Sequence, residues 1–181
     1  LAENKPNAMI LGYPAASAPA MKGADFMLKL LTGKLEENGF TVERGVGGIP
    51  TAFTATYGTK KPVLGILAEY DALSGLNQAA NVTEPIRIAG PDIGHGCGHN
   101  LFAGGSFAAA LAVKAYIEKT GIGSVTLFGC PAEEGGSGKA YLARAGFFND
   151  ADVALTWHPD NFHMVCTGSS QACIQAFFDF H

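Results

Sequence analysis

The chain has 181 residues, of which 48% are hydrophobic and 15% charged, and its formal net charge is −4. That length carries one domain with a full core, and the composition is that of a globular chain and not a disordered one. No run of Lys or Arg exists to attract nucleic acid or an anionic membrane, and no apolar run approaches the ~20 residues of a membrane span. Leu1-Ala2-Glu3-Asn4-Lys5-Pro6 lacks the charged-then-apolar layout of a secretory signal. The cysteines, Cys97, Cys130, Cys166 and Cys173, are scattered, and the last three sit in apolar settings that suit small core hydrophobes. A disulfide framework belongs to smaller secreted chains, so the expected compartment is reducing and cytoplasmic.

Residues 1–23, rich in Ala, Pro and Ser without a period, read as an irregular lead-in. A helix is expected from about Ala24 to Asn38, with Met27, Leu30, Leu31 and Leu35 on one face and Gly39 as its C-terminal cap. Phe40 to Val46 and Ala52 to Tyr57 read as strands, and Gly58-Thr59-Lys60-Lys61-Pro62 as a hairpin-like turn. Val63-Leu64-Gly65-Ile66-Leu67-Ala68 is a continuous apolar run, the mark of a strand buried on both faces. Residues 72–94 read as a loop. With Asn100 as N-cap, a long helix runs to about Lys119, its Ala/Gly-rich first half suited to close approach to a sheet. Val125 to Phe128 is a further buried strand, Lys139 to Ala145 a short helix, and Asp152 to Thr156 another strand. Strand-like runs follow at about His163 to Thr167 and Ala172 to Phe180. Strands alternating with helices predict an α/β fold, a layered mixed β-sheet flanked by helices.

The chemistry concentrates in Gly94-His95-Gly96-Cys97-Gly98-His99-Asn100. Glycines free the backbone to aim the imidazoles and the thiol at one point, and Cys and His are good ligands for a borderline-soft divalent metal. The Cys97-x-His99 spacing is too short for a zinc finger and suits an open catalytic site with further ligands elsewhere. Three strand ends offer them. Glu69 and Asp71, at i and i+2 on an extended chain, point the same way after the buried run. Glu133 and Glu134 follow the strand at Val125, and His158 follows the strand at Asp152. Strand ends are where α/β proteins place ligands.

Each feature has a plainer reading: a solvated strand end, a solvated loop, a hydrogen-bonded surface histidine, a glycine turn. Their recurrence in one topological place favours a shared metal. The paired glutamates then divide two tasks, one binding the ion and the other staying free to take a proton from an attacking water.

The stretch from Gly94 to Asn100, the stretch Cys130-Pro131-Ala132-Glu133-Glu134-Gly135-Gly136-Ser137-Gly138-Lys139, and Thr156-Trp157-His158-Pro159 resemble the di-metal amidohydrolases of metallopeptidase family 20. Within it they are most similar to the branch of the aminobenzoyl-glutamate utilisation and indole-acetyl-amino-acid hydrolase groups. The resemblance covers roughly residues 24–181, with the motifs in the family's order. It implies a zinc-exopeptidase-like catalytic domain with two divalent ions, Mn2+ or Zn2+. Cys97 would be the ligand shared between the ions, His99, Glu134 and His158 further ligands, Glu133 the general base, and Asp71 the residue orienting a metal-site side chain. Glu69 stands where other branches have a metal-binding histidine, so the resemblance leaves its ligation open. His95 would lie behind the ligands or serve only the loop.

The resemblance further implies hydrolysis of an amide between an acyl or aroyl group and an amino acid, with p-aminobenzoyl-glutamate as the leading substrate. A dipeptidase or N-acyl-amino-acid hydrolase is the alternative. Family members continue past this length with a lid and dimerisation domain and a last metal-binding histidine. On that pattern 24–170 is the N-terminal part of the catalytic domain and 171–181 the first strand of a largely absent lid. Such a chain is expected to be weakly active or inactive alone, and to act as a homodimer or with a second related subunit. Two readings of other classes stay open: a cysteine nucleophile at Cys97 with His99 as base, and a non-catalytic metal-binding fragment.

Overall fold

In the computed structural model of the chain, residues 17–90, 92–165 and 168–169 are described, with side chains from residue 24 onward. The elements are α1 (Ser17–Glu37), β1 (Thr41–Arg44), a single 3-10 turn (Val46–Gly48), β2 (Phe53–Tyr57), β3 (Val63–Ala68), β4 (Leu73–Ser74), β5 (Ile93–Gly94), α2 (His99–Thr120), β6 (Ser124–Gly129), α3 (Glu133–Gly136), α4 (Gly138–Arg144) and β7 (Val153–Leu155). The main sheet has five strands in the order β1-β2-β6-β3-β7. β1–β2 and β2–β6 pair antiparallel, whereas β6–β3 and β3–β7 pair parallel. β4 and β5 form a separate two-stranded ribbon.

The period of two along each strand sorts side chains between two faces. Phe53, Ala55, Ile66, Ala68, Val125 and Leu127 face Leu31 and Leu35 of α1 and Ala103, Ala110 and Ile117 of α2. Phe128 faces the other way, into a smaller core with Val46, Ile49, Ala52, Cys130 and Leu142 of α4. The result is a mixed sheet with helices on both faces, and every residue of β6 is buried. Cys130 is the core residue its setting suggests, while Cys166 and Cys173 lie outside the described residues.

Several expectations need correction. α1 begins at Ser17, inside the stretch expected to be irregular. Its packed face is Ala24, Met27, Leu28, Leu31 and Leu35, and Leu30 is exposed. Gly39, at φ +79, closes the helix with Phe40 N–H donating to Leu35 O, as expected of a left-handed cap. Residues 58–62 do not close a hairpin, because β6 inserts between β2 and β3. β3 is only partly covered, since its outer neighbour β7 is three residues long; β6 is the strand buried throughout. Gly98 in the left-handed region, not Asn100, precedes α2. Residues 72–94 include the β4–β5 ribbon, and residues 163–165 are not a strand. The expected strand at Ala172 to Phe180, and with it the lid boundary at 171–181, lies outside the described residues.

α2 also departs from the reading of apolar runs. By length and composition it could cross a membrane. It lies instead along β3 and β6, burying Phe102, Ala103, Ser106, Ala110 and Ile117 against the sheet. One face packs on the sheet, and the rest of the helix is half-buried or exposed.

Because β6, β3 and β7 run parallel, their C-terminal ends share one edge of the sheet, and the crossover helix α2 returns with its N-terminus there. The close packing that sustains this is visible at Gly129, where a Cβ would stand 2.2 Å from the ring of fully buried Phe53. Gly129→Ala is expected to lower stability by about 1–3 kcal/mol, read in urea as a lower midpoint with an unchanged slope.

Candidate metal centre

At that shared edge four segments meet. Glu69 and Asp71 leave β3 and are buried, at 5% and 8% exposure. His99 opens α2 and is fully buried. Glu133 and Glu134 open the one-turn helix α3 after β6, and His158 follows β7. Local backbone chemistry aims them. Ala132 and Ser137 hold φ of +60 and +49, so the chain reverses on both sides of α3. A Cβ on Gly138 would stand 2.0 Å from Pro131 O, so only glycine lets that loop close. Gly98, at φ +79, has no side chain to hold off Pro159, whose ring carbons lie 3.1 Å from where a Cβ would be. That approach brings Cys97 Sγ within 3.4 Å of His158 Nε2.

His99 is the hub. Its Nδ1 lies 2.9 Å from Asp71 Oδ1, and its Nε2 lies 3.0 Å from Glu69 Oε2, 3.9 Å from Glu133 Oε2 and 4.0 Å from Glu134 Oε1. Asp71 uses its other oxygen to accept the Glu134 backbone N–H at 2.9 Å. One carboxylate thus fixes both the ring and the start of α3. Lys139 Nζ pairs with Glu69 Oε1. Farther out, Trp157 Nε1 donates to Ser106 Oγ at 3.2 Å, and Ser106 donates to Leu67 O, tying the His158 segment to α2 and β3.

The charges follow from this crowding. Burial disfavours the His99 imidazolium, but the carboxylates of Asp71 and Glu69 outweigh it and raise its pKa to about 10. Burial, with Glu134, Glu133 and Glu69 around it, pushes the Cys97 thiol up to about 11. Burial and the charge of Glu69 also raise Glu133 above the usual carboxylate value. Burial opposes the charged forms of Asp71 and Glu69, yet His99, joined by Lys139 at Glu69, brings both below their ordinary values. Burial and the neighbouring His99 lower His95.

Among the described residues, the buried side-chain atoms with no hydrogen-bond partner are Glu69 Oε2, His99 Nε2, Glu134 Oε1 and His95 Nδ1. A buried unpaired polar atom costs about 1–3 kcal/mol, and three of these four face one another around His99 Nε2. Glu69 Oε2 and His99 Nε2 are at ion-pair distance without hydrogen-bond alignment. A divalent cation satisfies donors of this kind together. Two sets of ligand atoms lie within 4.8 Å of one another: Cys97, His99 and His158, and Glu69, His99 and Glu133. Thiolate, imidazole and carboxylate donors fit zinc or a neighbouring transition ion.

The structure therefore brings Cys97, His99, Glu133 and His158 into potential ligand sets. Glu134 comes near His99 without joining either set, and Asp71 sits behind the ring on Nδ1. Glu69 joins a set. His95 stays outside both. Lys139, Ser106 and Trp157 were not singled out by sequence reasoning. Lys139 closes the glycine-rich motif, but no spacing rule links a lone lysine to a carboxylate 70 residues away.

A mixed sheet with helices on both faces, holding a half-buried thiol, a buried imidazole and a carboxylate cluster at the C-terminal ends of its parallel strands, defines an α/β domain with a candidate metal centre. Comparison with known proteins is more specific. Residues 65–175 match peptidase family M20/M25/M40, and the chain belongs to that family. It is 50% identical over 151 residues to a p-aminobenzoyl-glutamate hydrolase subunit of Escherichia coli (strain K12), covering 83% of this chain and 31% of that protein. It is 37% identical over 122 residues to the Xaa-Arg dipeptidase of Mus musculus, covering 62% of this chain and 24% of that protein. The chain therefore spans less than a third of the length of either relative. The fold matches a dinuclear metal binding peptidase from the M20 family of Bacillus subtilis, with TM-score 0.60, 22% identity, and coverage of 73% of this chain and 36% of that one.

Ligands must be deprotonated to bind a cation, and near neutral pH both His99 and Cys97 hold a proton that binding has to displace. Affinity for Zn2+ or Mn2+ is therefore expected to rise with pH from neutral toward about 10. Titration calorimetry in two buffers of different ionisation enthalpy should show proton release on binding. Asp71→Asn should weaken that affinity by about 10–100-fold.

Proposed function

We propose that this chain carries the metal centre of an amidohydrolase that cleaves the amide between an acyl or aroyl group and an amino acid, with p-aminobenzoyl-glutamate as the substrate. The observation that carries the reading is the set of unpaired buried atoms converging on His99 Nε2 beside the solvent-accessible carboxylate of Glu133, whose side chain is 42% exposed. The substrate is supported by the 50% identity to the p-aminobenzoyl-glutamate hydrolase subunit of Escherichia coli.

In this reading Cys97, His99, Glu134 and His158 would hold two divalent ions, Mn2+ or Zn2+. Such ions, when bound, acidify a water and stabilise negative charge on a carbonyl oxygen. Asp71 keeps His99 in the ring orientation that turns Nε2 to the centre. Glu133 accepts the proton of the attacking water at its carboxylate as the oxygen bonds to the carbonyl carbon. It then delivers that proton to the amide nitrogen as the C–N bond breaks, giving a carboxylic acid and a free amino acid. Its raised pKa, caused by burial and the charge of Glu69, suits an acceptor that must also give the proton back.

The similarity to the Xaa-Arg dipeptidase supports a second substrate class, dipeptides, on the same machinery. The naming of the bacterial relative as one subunit of a hydrolase supports a second chain, related or identical, in the working enzyme. A cytoplasmic location is part of the proposal, supported by the free thiols of Cys97 and Cys130. A nucleophilic Cys97 is disfavoured, since its thiol is pushed up to about 11 where a nucleophile needs a lowered value.

The test is release of p-aminobenzoate from p-aminobenzoyl-glutamate by the Mn2+- or Zn2+-loaded full-length reading frame, since the 181-residue chain alone is expected to be weakly active or inactive, beside a panel of dipeptides and N-acyl amino acids. Glu133→Ala is expected to lose about 10²–10⁴-fold in rate while retaining most of its metal. A chelator should abolish the activity, which a cysteine-nucleophile mechanism would survive. Cleavage of dipeptides alone would move the substrate to the second class. Metal uptake without cleavage of anything in the panel would contradict the hydrolase reading.

A further inference from the structure

We infer that Glu69 is a metal ligand through Oε2 and that Lys139 is the residue that positions it. The inference rests on the metal-centre reading above and deepens it.

Glu69 is only 5% exposed and follows directly on a strand whose pairing fixes the backbone that carries it. A carboxylate taken that far from water needs partners on both oxygens. Oε1 has one, the Lys139 ammonium. Oε2 has none, although it stands 3.0 Å from His99 Nε2, a fully buried nitrogen that is itself unpaired. If the contact served only to hold the fold together, the ring N–H would align on the oxygen. It does not, and the other side of the ring explains why: Asp71 fixes the ring from Nδ1 at 2.9 Å, so it is not free to turn toward Glu69. Glu134 Oε1, buried and unpaired like Glu69 Oε2, lies 4.0 Å from the same nitrogen, so these three atoms stand around a point that a cation can occupy, with Glu133 Oε2, the proton acceptor, beside it at 3.9 Å.

Lys139 sets which oxygen faces that point. It sits on α4 one residue after Gly138, whose missing side chain lets the helix start against Pro131 O. From there the ammonium holds Oε1, leaving Oε2 as a single directed donor and preventing both oxygens from swinging to one side. The pair also limits charge. Asp71, Glu133 and Glu134 already crowd the centre, and an ammonium on Glu69 lets a further oxygen donor enter without adding net negative charge.

The test is metal binding, independent of any substrate. Mn2+ and Zn2+ titrations, with the Co2+ absorption spectrum as a second readout, are made on the purified protein and on Glu69→Gln, Lys139→Gln, Lys139→Arg and the Glu69→Gln/Lys139→Gln double variant. Glu69→Gln is expected to weaken one ion by about tenfold or more and to change the Co2+ spectrum. Lys139→Gln should weaken the same ion several-fold, and Lys139→Arg should restore it. In the Glu69→Gln background, removal of Lys139 should add nothing, because the lysine acts only through the glutamate. Parent-like binding and spectrum in Glu69→Gln would overturn the ligand assignment. Additive losses in the double variant would overturn the positioning role. No binding of any ion by the parent would overturn the metal centre itself, a failure distinct from both.

Discussion

An imidazole with no solvent exposure, held between a carboxylate on each nitrogen, is the constraint on which this structure depends. Asp71 settles the ring from behind and also accepts the Glu134 backbone N–H at the start of α3, so one carboxylate positions both the ring and the segment that carries Glu133 and Glu134. On the front, His99 Nε2 and Glu69 Oε2 face each other unpaired. Without a cation this is an imidazolium among carboxylates, with its pKa raised to about 10 by their charge. With one bound, His99 would give up that proton and Nε2 would serve as a ligand. A fold that keeps polar atoms buried and unpaired at one place retains them for something that binds there.

The sheet makes that arrangement easy to hold. Three parallel strands end at one edge, and each contributes its donors from the residues just past the ladder. Glycines then remove the side chains that would keep the segments apart: Gly98 against Pro159, Gly138 against Pro131, and Gly105, where a Cβ would stand 2.6 Å from the Trp157 ring. With Trp157 seated there, its indole N–H reaches Ser106 and steadies the segment that carries His158. The density of glycine around the motifs is thus a packing requirement of the site as much as a matter of turns.

The candidate site was legible in the sequence because its donors are rare residue types that recur at strand ends. Val63 to Ala68 announced its strand by an unbroken apolar run, and Glu69 and Asp71 followed directly. Cys97, His99, Glu133, Glu134 and His158 could be named for the same reason. What was not legible depends on long-range pairing. The turn at residues 58–62 carries local hairpin signals, but β2 pairs with β6, some 70 residues later, through contacts no local pattern encodes. The helix start at Ser17 was hidden by the Ala and Pro content around it, and the cap at Gly98 by the better-known capping residue Asn100 beside it. Lys139 has neither period nor motif to mark it, and only the folded chain shows that its ammonium belongs to Glu69.

The central claim is that His99 Nε2 faces a bound divalent ion. The most direct measurement is anomalous X-ray scattering from crystals of the metal-loaded protein, collected on both sides of the metal's absorption edge. The expected result is an anomalous peak about 2.0–2.3 Å from His99 Nε2, with Cys97 Sγ or Glu69 Oε2 at bonding distance from it. Crystals loaded with metal that show no peak at this ring, and a hydrogen bond from His99 Nε2 to Glu69 in its place, would contradict it.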